Sequence, residues 1–343
     1  MIQKILTALD GSNNANIALK VAADIAARYG AHLKILHVGL RQPGQLTELY
    51  QAAERSFKRA ENSGGWTSEH PNWLPRLQVL DHMGHMIIDQ GQACARDRGA
   101  TSVETVIDWG DEGERILHHS KHPSVDMIVM GSRGASPLQG LFLGSVSHKV
   151  FHLAPCTCVT VHASKGQSGF GELKKIMVPF DGSSHAMKAV DLACDIASKF
   201  GAGLRLIQVL EGGETPEHLL GAVDRERLDA ETIQALDEAR TPESLGTSPV
   251  TAMPMISRAL LRKVGEEILA HGKRTAANKG VANVESELLD GDPTHCILKA
   301  AEQDQADLIV MGMRGLGEMA GMLVGSVSYK VNHLASCTCI TVK

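Results

Sequence analysis

Short continuous apolar runs alternate along the chain with longer stretches whose apolar residues recur at helical spacing. In the first half, the runs predict five strands and the stretches between them predict helices. The first of these helices has Gly30 as its C-terminal stop. The predicted strands are "KILTALD", "HLKILHV", "TSVETVID", "VDMIVMG" and "CTCVTV", and the predicted helices are "NANIALKVAADIAARYG", "RLQVLDHMGHMIIDQGQACARDRG", "DEGERILHHSKH" and "SVSHKVFHLA".

This alternation predicts βαβ units and hence an α/β fold, with a parallel sheet covered by helices on both faces. In a sheet with the strand order 3-2-1-4-5, the order reverses between the first and the fourth strand. Ligands of such sheets bind beyond the carboxyl ends of the strands at that point. The two loops that meet there are "ALDGS" and "MGSRG", so we expect a ligand crevice between them.

The second half of the chain repeats this pattern. "ILTALDGS" recurs as "IMVPFDGS", which places Asp181 171 positions after Asp10. "VDMIVMGSRG" recurs as "ADLIVMGMRG" 181 positions later, so the second copy has ten extra residues, which we expect within about 211–251. We therefore predict two tandem domains at 1–163 and 175–343, each able to bury its own core, with a Gly/Ser/Lys-rich linker at 164–174.

Composition narrows the class of protein. Only 3% of the residues are aromatic, so aliphatic side chains must fill the cores, and a net charge of −5 argues against a nucleic-acid partner. No run of roughly 18 apolar residues predicts a membrane-spanning helix, and the N-terminal sequence lacks the features of a signal peptide. The seven cysteines form no evident disulfide framework. We therefore expect a cytoplasmic protein with reduced thiols.

A glycine-rich loop follows the fourth strand in both copies, as "GSRGASPLQGLFLGSVSHK" and "GMRGLGEMAGMLVGSVSYK". It is neither a Walker loop nor a G-x-G-x-x-G fingerprint. Gly131 and Gly134 are expected to let the backbone turn sharply and approach a ligand. Nine residues later, the helix that starts at Gly144–Ser147 offers unsatisfied N–H groups to a phosphate, and its serine hydroxyls add hydrogen bonds or cap the helix. The second copy keeps this order at Gly312, Gly315, Gly325, Ser326 and Ser328.

Two further positions at the strand ends suggest contacts with a nucleoside. Asp10 and Asp181 end the first strand of each copy, where a carboxylate can accept from ribose hydroxyls or from an adenine amino group. The alternative is that each aspartate is the N-cap of the next helix. Val38 and Val209 end the second strands, where a backbone amide can read an adenine edge; the alternative is an ordinary core position.

"ILTALDGS", "GDEGERIL", "DMIVMGSRG" and the spacing Gly-x2-Gly-x9-Gly-Ser resemble the universal stress protein family, and the second copy repeats the resemblance. The resemblance implies two tandem five-stranded parallel-sheet α/β sandwiches (Rossmann-like) and, for this glycine pattern, binding of ATP, with or without Mg²⁺. The residues implied for the first site are Ala8, Asp10, Val38, Met130, Gly131, Arg133, Gly134, Gly144, Ser145, Val146 and Ser147. Those implied for the second are Pro179, Asp181, Val209, Met311, Gly312, Arg314, Gly315, Gly325, Ser326, Val327 and Ser328.

The implied sites differ in a few side chains. Arg133 and Arg314 offer positive charge to phosphates or, alternatively, are solvated. In the second copy Met313 replaces Ser132, and Phe180 replaces Leu9. These two larger side chains predict that the two sites are tuned differently.

The resemblance further implies a stress-response protein in which an adenine nucleotide acts as a regulatory ligand in one or both domains. No Ser-His-Asp order, carboxylate pair or metal motif coincides with the crevices, so we expect no enzyme beyond slow ATP hydrolysis. Two alternatives stay open: a nucleotide-independent interaction module, and an ATP-using enzyme of a related α/β fold. The expected partners are the nucleotide and a protein of unknown identity, with neither nucleic acid nor membrane.

Members of the family often pair their fifth strands across a two-fold axis. A tandem chain can satisfy that pairing internally, with "CTCVTV" beside "CTCITV" as an internal pseudo-dimer, and a further homodimer stays open. Thr157 and Thr338 stand where the family commonly has a proline. The pairing would cover two strand edges that otherwise invite aggregation.

Some other motifs allow a functional and a structural interpretation. The Cys-x-Cys pairs at 156/158 and 337/339 are metal or redox sites, or small buried side chains, and the second interpretation is favoured. His82 and His85 lie on one helical face that we interpret as surface, and His118 and His119 are interpreted as solvated. The charged helical segment at 218–239 is interpreted as a solvated amphipathic face.

Overall fold

The chain divides into two compact units, Met1–Ala154 and Pro155–Lys343. A computed structural model describes residues 2–39, 74–121, 124–134, 143–162, 169–171, 173–211, 228–239, 257–315 and 324–343, without the side chains of 74–82 and 239. The extra residues expected within 211–251 and most of the predicted linker lie outside the described residues.

The first unit contains an α/β sheet in which the described strands are parallel and follow the order β3-β2-β1-β4. Helices connect the strands, as the apolar pattern predicts. The elements are β1 (Lys4–Ala8), α1 (Asn13–Tyr29), β2 (His32–Gly39), α2 (Leu74–Asp97), β3 (Ser102–Trp109), α3 (Glu112–Lys121), β4 (Met127–Gly131) and α4 (Ser145–Leu153).

The second unit has the strand order β5-β10-β9-β6-β7-β8. Its own repeat thus follows the predicted order 3-2-1-4-5, which is confirmed, with parallel pairing between neighbouring strands. The elements are β5 (Thr157–Val161), β6 (Lys175–Pro179), α5 (Ser184–Phe200), β7 (Gly203–Leu210), α6 (Ala230–Ala239), α7 (Arg258–Asn278), β8 (Val284–Asp290), α8 (Pro293–Gln303), β9 (Leu308–Gly312), α9 (Ser326–Leu334) and β10 (Thr338–Val342).

Strand β5 comes from the first sequence repeat but pairs within the second unit. It runs antiparallel to β10, with Val159 opposite Ile340 and Cys158 opposite Thr341. The expected pairing of the two fifth strands is therefore confirmed. All four of these residues are buried, so the pairing covers two edges and extends the core.

Local signals set the ends of the helices that follow the first strands. The Ser12 hydroxyl oxygen accepts a hydrogen bond from the Ala15 N–H at 3.2 Å and caps α1. Gly30 ends the same helix with φ of +63°, a conformation that glycine adopts without a steric penalty, so the predicted stop is confirmed. In the second unit Ser183 and Gly201 have the same roles at α5.

The aspartate that precedes β4 and its counterpart that precedes β9 hold the amino ends of the first strands by hydrogen bonds. Asp307 Oδ2 accepts from the backbone N–H groups of Lys174 (2.8 Å) and Lys175 (2.9 Å), and Asp126 does the same for Gln3 and Lys4. We expect Asp307→Ala to lower the free energy of unfolding by about 1–2 kcal/mol, since two charge-assisted hydrogen bonds are lost at a partly exposed site. Urea unfolding measures this.

The matched control for that variant is Glu302→Ala, on the exposed surface of α8. It removes the same charge from the same unit and is expected to change stability by less than about 0.5 kcal/mol. Equal unfolding midpoints for the two variants would show that the Asp307 hydrogen bonds contribute nothing.

Candidate functional site

In the first unit, the pairing of β1 with its two neighbours ends at the predicted crevice. The β1–β4 pairing ends at Thr7–Val129, and the β1–β2 pairing ends at Ala8–Leu36. The β2–β3 pairing continues beyond that level, to Gly39–Trp109. The end of β1 therefore leaves a gap at the carboxyl edge of the sheet, at the point where strand order reverses.

The second unit repeats this arrangement. The β6–β9 pairing ends at Met177–Ile309 and the β6–β7 pairing at Pro179–Ile207, whereas β7 and β8 stay paired to Leu210–Asp290. In the described part of the chain, both units therefore leave the same gap beyond the carboxyl end of their first strand.

The backbone of Val38 faces the first crevice. Leu36 O accepts from Leu9 N–H at 2.8 Å, so the peptide groups of Leu36 point toward β1. Peptide groups of alternate strand residues point the same way, so those of Val38 point to the same side, beyond the end of β1. Among the described residues, no backbone hydrogen bond fills that side of Val38. The same argument applies to Val209, because Ile207 O accepts from Phe180 N–H at 2.7 Å.

The aspartate at the end of each first strand shapes the following turn. Asp10 Oδ1 accepts from Ser12 N–H at 2.9 Å, and Asp181 Oδ1 accepts from Ser183 N–H at 3.0 Å. Since Ser12 and Ser183 are the caps of the next helices, the alternative that the aspartates are N-caps is wrong. The other carboxylate oxygen lies against the glycine-rich loop: a Cβ added at Gly134 would be 2.5 Å from Asp10 Oδ2.

The first glycine of each loop has a packing role. A Cβ at Gly131 would lie 2.8 Å from the carbonyl carbon of Asn14, and one at Gly312 would lie 2.7 Å from that of His185. Neither glycine has positive φ, and neither do Gly134 and Gly315. The bends that follow Gly131 and Gly312 therefore need no left-handed backbone, and what the missing side chains permit here is close approach, of β4 to α1 and of the loop to Asp10.

Backbone hydrogen bonds join each loop to the start of the next helix. Gly144 N–H donates to Ser132 O at 2.7 Å, and Gly325 N–H donates to Met313 O at 2.9 Å. Both glycines precede their helix in an extended conformation, and within the described ranges no side chain caps either helix. The first N–H groups of α4 and α9 therefore have no capping side chain among the described residues, and the expected binding of a phosphate there stays a prediction.

The serine hydroxyls of these helices divide into two roles. Ser147 Oγ is buried and donates to Gly131 O at 2.8 Å, and Ser328 Oγ donates to Met313 O at 2.6 Å. These two serines tie the helix to the loop and do not cap it. The hydroxyls of Ser145 and Ser326 are exposed at the helix start.

The remaining predicted residues lie at the same carboxyl edge with different exposure. Met130 and Met311 are buried, and so are Met313 and Phe180, whose larger side chains belong to the core of the second unit. Arg133 is exposed and Arg314 is half-buried. The half-buried remainder consists of Ala8, Pro179, Val146 and Val327.

A charged cluster beside the first crevice was missed by the sequence reasoning. Asp108 pairs with Val38 in the β2–β3 register, and its Oδ2 accepts from Arg115 Nε at 2.6 Å and lies 2.8 Å from His119 Nε2. Burial raises the pKa of Asp108, but the hydrogen bonds from Arg115, Trp109 N–H and His119 together bring that pKa below its ordinary value. The interpretation of His119 as solvated is therefore wrong.

That cluster belongs to the first repeat alone. The equivalent positions of the second repeat, 181 residues later, hold Leu289, Cys296 and Ala300. Leu289 and Ala300 pack in the apolar core beside Val209. The signal in the sequence was Arg115 and His119 in "DEGERILHH", because the aligned positions in "GDPTHCILKA" are Cys296 and Ala300.

The cysteine motifs resemble core positions more than reactive sites. Cys158 and Cys339 are buried, and burial raises the pKa of the Cys158 thiol to about 11 and that of Cys337 to about 12. All seven cysteines are free thiols. In the part of the chain that the structure describes, no group of three or more His, Cys, Asp or Glu side chains is placed to hold a metal ion.

Other predicted surface features lie partly outside the described residues. The side chain of His82 and residues 218–227 of the charged segment are not described, whereas His85 is exposed on α2. Within the described ranges, no helix is both long and apolar enough to cross a membrane.

Comparison with known proteins assigns the family. The family model described as "Universal stress protein family" matches residues 1–162 and again residues 172–343. The chain belongs to the universal stress protein family. This tandem universal stress protein is 32% identical to the universal stress protein YxiE of Bacillus subtilis over 164 residues, which are 47% of this chain and 99% of that one.

Two further relatives span the whole tandem chain. A universal stress protein of Mycolicibacterium smegmatis is 25% identical over 344 residues, covering 99% of this chain and 96% of the relative. The crystal structure of a universal stress protein from Archaeoglobus fulgidus covers 99% of this chain and 96% of its own, with a TM-score of 0.60 at 19% identity. The fold and the tandem organisation are thereby shown.

Proposed function

We propose that this universal stress protein binds an adenine nucleotide, foremost ATP, in each of its two crevices, and that the nucleotide regulates the protein rather than fuelling it. The observation that carries the proposal is the gap at the end of β1 and of β6, which is bordered by an open valine peptide, an aspartate and an uncapped helix start. The three groups offer different interactions, and each suits a different part of a nucleotide: the base, the ribose or the phosphates.

Each group suits one part of the ligand. The peptide N–H and C=O of Val38 offer a donor and an acceptor to the edge of an adenine. Asp10, which holds the adjoining turn, can accept from ribose hydroxyls with its second oxygen. The open N–H groups that begin α4, together with the N-terminal end of the helix dipole, favour phosphate oxygens.

We further propose that hydrolysis is slow or absent and that the nucleotide biases the choice of a protein partner. A Walker-type lysine does not follow the glycines of either loop, and the aspartate at each crevice already accepts a backbone hydrogen bond. If Mg²⁺ accompanies the nucleotide, the phosphates themselves supply most of its ligands. A ligand without fast turnover shifts a conformational equilibrium by its differential affinity alone.

Binding is expected to stabilise the protein measurably. At 100 times its dissociation constant, one bound nucleotide raises the free energy of unfolding by about 2.7 kcal/mol. Thermal unfolding with ATP, ADP and AMP, combined with calorimetric stoichiometry, measures the effect, and two sites per chain are expected. The Asp10→Asn, Asp181→Asn double variant should lose the stabilisation, whereas Glu302→Gln should keep it. The proposal fails if no adenine nucleotide shifts the transition and none co-purifies with the protein.

A further inference from the structure

The two fifth strands are almost identical, so their own residues do not dictate which strand pairs with which. β5 reads "TCVTV" and β10 reads "TCITV", and the residues that differ, Val159 and Ile340, stand opposite each other. Since these two positions are equivalent in the repeat, the register would be unchanged if β10 of a second copy took the place of β5. Ile340 would then face Ile340 of that copy. An antiparallel pair of two β10 strands is therefore as compatible with the strand sequences as the observed pair.

The residue that follows each strand is different. His162 follows β5 and is buried, whereas Lys343 follows β10 and is half-buried. His162 Nε2 lies 2.9 Å from the backbone oxygen of Asn332, in the last turn of α9. Because a carbonyl oxygen only accepts, Nε2 carries the proton and donates. Carbonyl groups of a last helical turn have no partner within the helix, so His162 caps α9 from the end of β5.

The helix end that His162 contacts also differs between the repeats. Asn332 is 1% exposed, and among the described residues neither polar atom of its side-chain amide has a hydrogen-bond partner. The equivalent residue of the first repeat is Phe151, which is equally buried. A buried amide without a partner costs stability. In coiled coils, a single buried asparagine fixes the choice of partner at such a cost. The residues around the strand pair thus carry a difference that the strands themselves lack.

A β10 strand from a second copy would bring a different residue to this helix end. In the unchanged register, Lys343 of that copy would stand where His162 stands. A neutral imidazole donates through Nε2 without a charge, whereas a buried ammonium loses its hydration. Burial lowers the pKa of Lys343 even at its half-buried position. At a position as buried as that of His162, the desolvation of a lysine is more unfavourable.

We propose that the residue after each fifth strand selects the partner of β10. His162 favours β5 of the same chain by capping α9, and Lys343 disfavours β10 of a second copy, which the strand sequences alone would accept. The partner that this edge excludes is therefore another copy of the same chain. A strand edge that pairs with itself leads to association between copies, so the two residues keep the tandem chain closed. The inference does not depend on nucleotide binding.

Exchanging the two residues tests the proposal without changing composition or net charge. In the His162→Lys, Lys343→His variant, two β10 strands would each cap the α9 of the other copy, and β5 would bring the lysine. We expect this variant to self-associate about tenfold more tightly than the wild-type protein in sedimentation velocity. The matched control is His295→Lys, Lys299→His, which exchanges the same residue types on the exposed surface of α8 and should associate like the wild-type protein.

Methyl NMR of the full chain identifies which strand pairs with β10. Residues directly opposite each other in an antiparallel pair have Cβ atoms about 5 Å apart, so Ile340 should show an NOE to Val159 in the wild-type protein. In the exchanged variant, we expect this NOE to be replaced by one between Ile340 of an isotope-labelled copy and Ile340 of an unlabelled copy.

A single substitution decides the question if the exchanged variant does not fold. Lys343→His keeps the His162 contact and removes only the residue that disfavours a second copy. It should also self-associate more tightly than the wild-type protein, with Ile340 showing both NOEs. The proposal is overturned if the folded variants associate like the wild-type protein and Ile340 contacts Val159 alone. Loss of the Val159 contact without a contact between copies overturns it too, because the pairing is then weakened but not redirected.

Discussion

Replacing Gly312 by alanine is expected to destabilise the second unit by about 3 kcal/mol, the upper end of the usual range for overpacking a core. The new Cβ would lie 2.7 Å from the carbonyl carbon of His185 and 2.9 Å from the amide nitrogen of Ala186. Both are backbone atoms in the first turn of α5, so no side-chain rotation relieves the clash. The helix must move away from β9, and the buried contacts between them are weakened.

Urea unfolding of the full chain measures this effect, with Gly171→Ala as the matched control. Gly171 lies in the same unit, without positive φ, and a Cβ there meets nothing within 4 Å. The Gly171→Ala control is expected to unfold at the same urea concentration as the wild-type protein. Gly131→Ala should destabilise the first unit for the same reason, because its Cβ would lie 2.8 Å from the carbonyl carbon of Asn14. If Gly312→Ala and Gly171→Ala unfold at the same urea concentration, the close approach of β9 to α5 is not what the glycine serves.

Replacing Gly315 by alanine is expected to weaken nucleotide binding at the second crevice about 100-fold while the fold is kept. Its Cβ would lie 2.5 Å from Asp181 Oδ2, which is the end of a side chain and can rotate away. The rotation costs the bond to Ser183 N–H and removes the carboxylate from its place beside the loop. The ligand then loses the two hydrogen bonds that its ribose hydroxyls are proposed to donate to Asp181. At about 1.4 kcal/mol each, these correspond to an affinity loss of about 100-fold.

The tandem chain supplies an internal control for this variant. Gly315→Ala is expected to lower the calorimetric stoichiometry for ATP from two to one, and Gly134→Ala should do the same through Asp10. The double variant should bind none, and Gly171→Ala should bind two. Unchanged stoichiometry and affinity in the double variant would contradict the placement of the nucleotide beside these aspartates.

The elements, their order and the location of the crevices could be predicted from the amino-acid sequence. Strand and helix periodicity, together with stop residues such as Gly30, are short-range properties that a linear pattern carries. The duplication adds a second, independent copy of each motif. Consequently, the strand ends at which the two loops meet could be located from the sequence, and the pairing of the two fifth strands, which the family resemblance implied, is confirmed.

The roles of several residues could not be predicted, because they depend on atoms that are far away in the chain. Gly131 is a glycine because α1 passes across it, which nothing in "VMGSRG" reveals. Ser147 Oγ donates to the carbonyl oxygen of Gly131, 16 residues earlier. A serine whose position suggests a helix cap therefore joins the helix to the end of β4. The cluster around Asp108 depends on how α3 returns over β3.

The sequence by itself determined that this protein is two copies of one α/β unit with a glycine-rich cradle after the fourth strand. Only the tertiary structure decided how the copies differ. In the first unit Asp108 on β3 binds Arg115 and His119 of α3, whereas the equivalent positions of the second repeat hold Leu289, Cys296 and Ala300. The hydrophobic periodicity of a segment reflects which of its own residues are buried. The charge of a site, by contrast, depends on residues from several strands and helices that the fold brings together.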